Sequence, residues 1–247
     1  MMKKLVLFDL DNTLTESRSK FDPEMRELLV QLLEVKKVAI VCGVGTDQLL
    51  VQLDGLTSPN LFLFPANSSK FLHFNNMQWE VLHEEMLTPE EKARIIAVIF
   101  QAYAGFDIPW DKSYGEIISD KGGQVTFAAL GEEAPLELKK KWDPKHSKRL
   151  AIKKKLDKKI PEFEVTIGGY TSIDISKVSK AGCIPQIKHH LGYDIEDIVF
   201  IADAMFKGGN DYPVKQTGVD SIEVSCPEDT KKWLRNMFCV LYDKTHH

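Results

Sequence analysis

The apolar positions of the chain fall into two rhythms. Leu5-Val6-Leu7-Phe8 is a continuous apolar run that stops at acidic residues. Val38 to Val41, Leu61 to Phe64 and Ile198 to Ala202 have the same form, and Ile222 to Val224 is a shorter example. Continuous rather than alternating hydrophobicity marks strands buried on both faces, as in a parallel sheet. Asp22-Pro23-Glu24 reads as a helix start, with Asp as N-cap and Pro at the first helical position. Met25, Leu28, Leu29, Leu32 and Leu33 follow at helical spacing. Strand, helix, strand alternation predicts a doubly wound, Rossmann-like parallel sheet.

The middle of the chain reads differently. Thr88-Pro89-Glu90-Glu91 is a capping box opening a helix through Ile95, Ile96, Ile99 and Phe100. Strands are predicted at Gln124 to Leu130, Phe163 to Ile167 and Tyr170 to Ile175. Between them, after Asp143-Pro144, a helix carries Ile152, Leu156 and Ile160 on one face. These strands are rich in Thr and aromatics and alternate with polar residues, which suits a sheet with one wetter face. The fold class is therefore α/β: a doubly wound core, residues 1–83 and 178–247, interrupted by an inserted α+β cap at about residues 84–177.

Composition narrows the function. The 247 residues are 43% hydrophobic, enough for one large domain or two small ones. A net charge of -4 argues against a nucleic-acid binder. Cys42, Cys183, Cys226 and Cys239 are scattered without a C-x-x-C pair, so they read as free thiols in a reducing cytosol. The run after Met1-Met2-Lys3-Lys4 is cut by Asp9 and Asp11, too early for a signal peptide. No run approaches the ~20 apolar residues of a membrane span. The chain reads as cytoplasmic, with no membrane or nucleic-acid partner; a homodimer is compatible with the pattern. The Lys-rich stretch from Lys139 to Lys159 reads first as a solvated helix face and second as a phosphate contact. The terminal His246-His247 is either native or an added remnant.

Chemistry concentrates at Phe8-Asp9-Leu10-Asp11-Asn12-Thr13-Leu14-Thr15. Two carboxylates sit two apart, just past a buried strand, and ligands of open parallel sheets bind beyond the strand carboxyl ends. One carboxylate can attack phosphorus and the other can exchange a proton with the leaving oxygen. An anionic nucleophile approaching an anionic phosphate needs a cation, and Mg²⁺ held by carboxylates and phosphate oxygens supplies it. Asp-x-Asp alone is also a common turn former. Asp203 follows another buried run and precedes Gly208-Gly209-Asn210-Asp211, so two strand-end acidic clusters could share one metal.

With these segments, the sequence resembles the haloacid dehalogenase superfamily, and within it the phosphomannomutase-like group with an inserted cap. The first segment is similar to its nucleophile motif, and Ala202-Asp203-Ala204-Met205-Phe206-Lys207-Gly208-Gly209-Asn210-Asp211 to its metal motif. Gly168-Gly169-Tyr170-Thr171-Ser172-Ile173-Asp174 is similar to its sugar-phosphate segment in the cap.

The resemblance implies Asp9 as nucleophile, Asp11 as acid/base and Lys180 as the lysine neutralising the phosphoaspartate. It implies Mg²⁺ on Asp9, Asp203 and the Asp11 carbonyl, with Asn210 and Asp211 ordering the metal shell. Arg18, Ser172 and Asp174 would contact a small sugar phosphate. The departures are specific. Asn12 stands for a usual Gly, and Asn is the next best residue for a left-handed backbone; Ala202 replaces another Gly. Asn67 lies in Ala66-Asn67-Ser68, where Asn-Gly is usual. Cys42-Gly43-Val44-Gly45-Thr46 lacks the expected Ser or Thr, which leaves Thr46, one residue out of register, or Cys42. In the cap, Lys121 replaces one phosphate-binding arginine and Glu132 stands at another. Lys139, Lys140 and Lys141 lie near the third.

Three functions follow: a mutase interconverting mannose 6- and 1-phosphates, a sugar-phosphate phosphatase, and a non-catalytic binding protein that kept the fold. The cap decides between the first two. Lys121 facing the cleft supports a mutase; Glu132 facing it alone supports a phosphatase.

Overall fold

A computed structural model describes residues 3–103 and 112–245; Met1-Met2 and His246-His247 lie outside these. In chain order its elements begin β1 Leu5–Phe8, α1 Pro23–Val35, β2 Lys37–Val41, α2 Thr46–Leu53, β3 Leu61–Phe64, α3 Pro65–Ser68, β4 Lys70–Asn75 and β5 Gln78–Glu84. The middle holds α4 Pro89–Ala102, β6 Ile118–Asp120, β7 Gln124–Ala128, α5 Leu136–Trp142, α6 Ser147–Lys159, β8 Glu164–Gly168 and β9 Ser172–Ser176. The last part is α7 Cys183–Leu191, β10 Ile198–Ala202, α8 Tyr212–Gln216, β11 Asp220–Glu223 and α9 Pro227–Thr245.

The large sheet has seven strands in the order β11-β10-β1-β2-β3-β4-β5. Its first five strands are parallel, and β4 and β5 are added antiparallel at the β3 edge. The parallel core sheet expected from the sequence is present, and an antiparallel edge hairpin extends it. The strands alternate faces, as their two-residue period requires. Val6, Phe8, Val38 and Ile40 pack with Leu28, Leu32 and Leu49 of α1 and α2 on one side. Leu5, Leu7, Ala39 and Phe200 pack with Ile184 and Ile187 of α7 on the other. Both faces are covered, which is why these runs are apolar throughout. The expected caps form: Asp22 accepts the Met25 N–H at the start of α1, and Thr88 and Glu91 close a reciprocal box at α4.

The second sheet is antiparallel, in the order β6-β7-β9-β8. One face, with Val125, Phe127, Val165, Ile173 and Ile175, is packed by Ile95 and Ile99 of α4 and by Ile152 and Leu156 of α6. The opposite face is polar. Thr126, Asp174 and Thr166 stand side by side across β7, β9 and β8, with Gln124 and Ser176 next along. These groups are buried although polar, because the face lies against the carboxyl ends of the large sheet rather than in solvent.

Candidate active site

β1 and β10 are hydrogen-bonded neighbours, so the residues just after them must meet. The Asp9 N–H donates to the Ile201 carbonyl at 3.0 Å, and Asp203 follows at the end of β10. The chain then turns through Asn12, which has φ 63°, the left-handed conformation anticipated for Asn at this position. The loop after β10 is equally tight. A Cβ on Gly209 would lie 2.2 Å from the Ala204 carbonyl oxygen, so only glycine allows this closure. The closure brings Asp211 back, and its Oδ2 accepts the Ala204 N–H at 3.0 Å.

Asp9, Asp203 and Asp211 can each offer a carboxylate oxygen within 4.8 Å of the others. Lys180, just before α7, is buried between two of them: its Nζ donates to Asp9 and, at 2.7 Å, to Asp211. Burial opposes the lysine charge, yet Asp211 and Asp9 hold its pKa far above the ordinary value. Burial, with Asp211 and Asp203 nearby, pushes Asp9 up despite Lys180. Asp203 is pushed up to about 7 by burial and by Asp211. Three carboxylates share one ammonium, and the surplus negative charge in a buried place fits a bound cation. All-oxygen donors suit a hard divalent cation rather than a soft one.

The remaining expected residues divide. Asp11, Arg18, Lys121, Ser172, Asp174 and Asn210 line one cavity together with Asp9 and Asp203. Asp11 stands in its wall outside the three-carboxylate cluster, and Asn210 lines the same wall. Asp11 accepts the Arg18 N–H and the Gln52 amide on the same oxygen, Oδ1, at 2.8 and 3.1 Å. Thr46 does not line the cavity. Gly45 is the extended N-cap of α2, so Thr46 already begins the helix and lines a small side pocket with Ala66 and Ser69. Cys42 takes the place in the cavity wall, its thiol held protonated by burial.

The second sheet meets the crevice through its polar face. Thr126 donates to Asp174 Oδ1 at 2.8 Å, and Asn67 donates to Asp174 Oδ2 at 3.2 Å. Burial nevertheless pushes the Asp174 carboxyl up. Lys121 and Gln124 both donate to the Gly43 carbonyl, at 3.0 and 2.8 Å. A Cβ at Gly43 would lie 2.7 Å from Asp174 Oδ2, so the two sheets approach as closely as this glycine permits. Glu132 faces the cavity in the company of cations, not alone. It pairs with Arg18 at 2.8 Å and approaches Lys121 at 3.6 Å. Burial works against its charge, but Lys121, Arg18 and the Ser119 hydroxyl hold its carboxyl below the usual range.

Sequence reasoning passed over Thr126, Gln124 and Gln52, which are buried polar partners of the site. For Thr126 a signal existed, because period-2 alternation within β7 sets it on the face opposite Val125 and Phe127.

A mixed sheet of this order, with strand-end carboxylates gathered on a lysine and a second sheet over them, marks an enzyme of the haloacid dehalogenase superfamily. The family model for eukaryotic phosphomannomutase matches residues 25–240, and the chain belongs to that family. Phosphomannomutase 1 of Dictyostelium discoideum is 26% identical over 246 residues, covering 95% of this chain and 96% of that protein. The phosphomannomutase of Saccharomyces cerevisiae is 28% identical over 252 residues, covering 95% and 94%. Among solved structures, an IMP-bound, N-terminally truncated IMP-nucleotidase of Plasmodium falciparum shares the fold with a TM-score of 0.75. That likeness is at 16% identity and covers 96% of this chain and 68% of that one. No helix of the described residues is long and apolar enough to cross a membrane.

Proposed function

We propose that the protein moves a phosphoryl group between positions of a hexose phosphate, mannose 6- and 1-phosphates being the pair that its relatives' names suggest, with Asp9 as the covalent carrier. The observation that carries this reading is the meeting of Asp9, Lys180, Asp203 and Asp211 at the ends of β1 and β10, with Asp9 and Asp203 opening onto a cavity closed by a polar sheet face. Asp9 attacks phosphorus: its oxygen–phosphorus bond forms while the sugar–phosphate ester bond breaks. Asp11 gives the departing sugar oxygen a proton, from the carboxylate oxygen not engaged by Arg18 and Gln52. A hexose 1,6-bisphosphate gives up its first phosphoryl group in this way and leaves as a monophosphate; in the return step the free hydroxyl of a hexose monophosphate gives its proton to Asp11 and attacks the phosphoaspartate, and the Asp9–phosphorus bond breaks as the bisphosphate forms again.

Asp9, Asp203 and Asp211 would hold Mg²⁺, with the Asp11 carbonyl and Asn210 completing its surroundings. Bound there, Mg²⁺ would offset charge on the phosphoryl oxygens. Lys180, fixed between Asp9 and Asp211, would offset charge there as well. Residues 84–177 act as a cap, presenting Ser172, Asp174 and Lys121 to the sugar and excluding water. Thr46 takes no part in this reading.

A second outcome, hydrolysis of the phosphoaspartate by water, is favoured by the Glu132 carboxylate beside Arg18. The deciding assay supplies mannose 1-phosphate, Mg²⁺ and a catalytic amount of hexose 1,6-bisphosphate. Mannose 6-phosphate in excess over free phosphate supports the mutase. Free phosphate alone supports the phosphatase, and neither product overturns the phosphoryl-transfer reading.

A further inference from the structure

Among the described residues, Arg149 of α6 has the largest fully buried side chain, and it does not line the cavity. Its Nε donates to Asp143 Oδ2 at 3.0 Å. Its Nη1 donates to two successive main-chain carbonyls, Gly168 at 3.1 Å and Gly169 at 2.8 Å. Asp143 is also engaged through both oxygens. They accept the Lys148 and Arg149 N–H groups at 3.0 and 3.1 Å, donors that the first turn of α6 leaves unpaired. A buried ion pair is a poor source of stability, because desolvation offsets the attraction and a well-packed apolar pair often holds a fold as well. What an apolar pair cannot do is fix the two carbonyls. They belong to the turn after β8, where Gly169 has φ 50°, and this turn leads along the cavity wall into Ser172. The other side of the turn meets the core. The Ile167 N–H donates to the Gly208 carbonyl at 3.3 Å, and the Asn210 N–H donates to the Ile167 carbonyl at 3.2 Å. These bonds form a parallel bridge between β8 and the loop after β10. A Cβ on Gly168 would lie 3.2 Å from Asn210 Nδ2 and 3.3 Å from Asp174 Oδ2. Phe206 of the same loop packs on the apolar cluster of the second sheet.

We infer that Arg149 is a positioning residue: backed by Asp143, it holds the Gly168-Gly169 turn so that the segment ending at Ser172 and the core loop carrying Asn210 stay in register. The inference rests on the reading that a sugar phosphate binds in the cavity those segments line. A guanidinium suits the task, because its rigid fork reaches a carboxylate on one side and two carbonyls on the other. Asp143 neutralises it, so the pair gives the cavity shape and adds no net charge. A sugar bisphosphate therefore meets no new repulsion, and transfer to a hydroxyl or to water is served alike. Loss of the fork should act locally, since Phe206 still docks the loop on the second sheet. A local drift is enough to matter, because a misplacement of about 1 Å can cost on the order of 10²-fold in rate.

The double variant Asp143→Asn, Arg149→Met tests this, because removing both charges leaves no buried carboxylate unpaired. Hydrogen exchange followed by NMR on the unliganded chain is the first measurement. The Ile167 and Asn210 amides should exchange about tenfold faster or more, while the Ile99 amide within α4 keeps its rate. Steady-state kinetics with mannose 1-phosphate, Mg²⁺ and hexose 1,6-bisphosphate are the second. KM for mannose 1-phosphate should rise about tenfold or more, and kcat should fall by a smaller factor. A purely structural role would instead lower the stability of the whole second sheet, speed exchange at Ile99 as much as at Asn210, and leave KM unchanged. A rise below about threefold in either measurement overturns the proposal, as does equal acceleration at Ile99. If the double variant does not fold, Arg149→Lys takes its place under the same thresholds. It keeps a charge for Asp143 and loses the fork to two carbonyls. If the unaltered chain turns over no mannose phosphate, the sugar-phosphate reading fails, and exchange at Ile167 and Asn210 alone decides whether Arg149 holds the turn.

Discussion

The two halves of the cavity solve opposite electrostatic problems. At the ends of β1 and β10, three carboxylates crowd around one lysine, leaving negative charge in a buried place. At the mouth, Arg18 and Lys121 pair with the Glu132 carboxylate and Lys139 donates to its main-chain carbonyl, leaving positive charge in a partly open place. The first half is short of a cation, and a metal would supply one. The second half holds its own anion among its cations. A buried surplus of one sign is a candidate place for chemistry, whereas the mouth cluster is largely paired within the protein.

The sharpest way to break this contrast is at its deep end. Asp9→Asn keeps the side chain's shape and removes the attacking charge. Turnover of a sugar phosphate should fall by roughly 10⁴-fold or more, measured as steady-state kcat. Asp11→Asn should lower it by about 10²–10⁴-fold. Wild-type turnover in the Asp9 variant would remove the covalent carrier. Next in size is the cation. Asp203→Ala should raise the Mg²⁺ concentration for half-maximal activity by at least about tenfold. Full activity after exhaustive chelation would show that the carboxylate surplus needs no metal.

The contact between the halves comes third. Gly43→Ala places a methyl group 2.7 Å from Asp174 Oδ2, so the Asp174 carboxylate, held by Thr126 and Asn67, or the sheet that carries it must shift. Thermal unfolding should show a loss of about 1–3 kcal/mol, and KM should rise more than kcat falls. An unchanged KM would mean that Asp174 does not position substrate.

The smallest effect concerns Glu132 and stability. Its carboxyl is lowered in the folded chain by Lys121, Arg18 and Ser119 against the cost of burial. A carboxyl lowered on folding stabilises above its unfolded value, and that contribution disappears as pH falls through its folded value. At neutral pH the unaltered chain should exceed Glu132→Gln in stability by about 1 kcal/mol or less, because solvent screens the pair. In acid below the ordinary glutamate range the difference should close. Urea unfolding at both pH values checks this, and a constant difference would mean that the mouth cations do not stabilise Glu132.

Legibility from sequence follows the same division. The deep half was readable because its carboxylates sit at the ends of uninterrupted apolar runs, and strand adjacency does the rest. Asn12 was readable too, since its left-handed turn selects among few residues. The edge hairpin was not. It turns at Asn76-Met77 with φ of 48° and 66°, and Met gives none of the usual signal for such a turn. It also follows Ala66-Asn67-Ser68, three successive residues with positive φ that no local propensity announces. Between Thr46 and Cys42 the spacing alone did not choose; the N-cap at Gly45 turns Thr46 into the first residue of α2, away from the cavity that Cys42 lines. Ser119 of β6 and Lys139 of α5 both meet Glu132 in the turn after β7, contacts that no apolar periodicity along the chain announces.

The shared acceptor at Gly43 has a consequence for how the protein can vary. Lys121 and Gln124 reach across to a main-chain oxygen, not to a side chain. Every residue type supplies that oxygen, so substitutions at Cys42 or Val44 can reshape the cavity wall while the docking point of the second sheet remains. The join between the halves is therefore written in backbone position. It constrains position 43 through the room a side chain would need, and leaves its neighbours open to adapt the cavity to a different sugar.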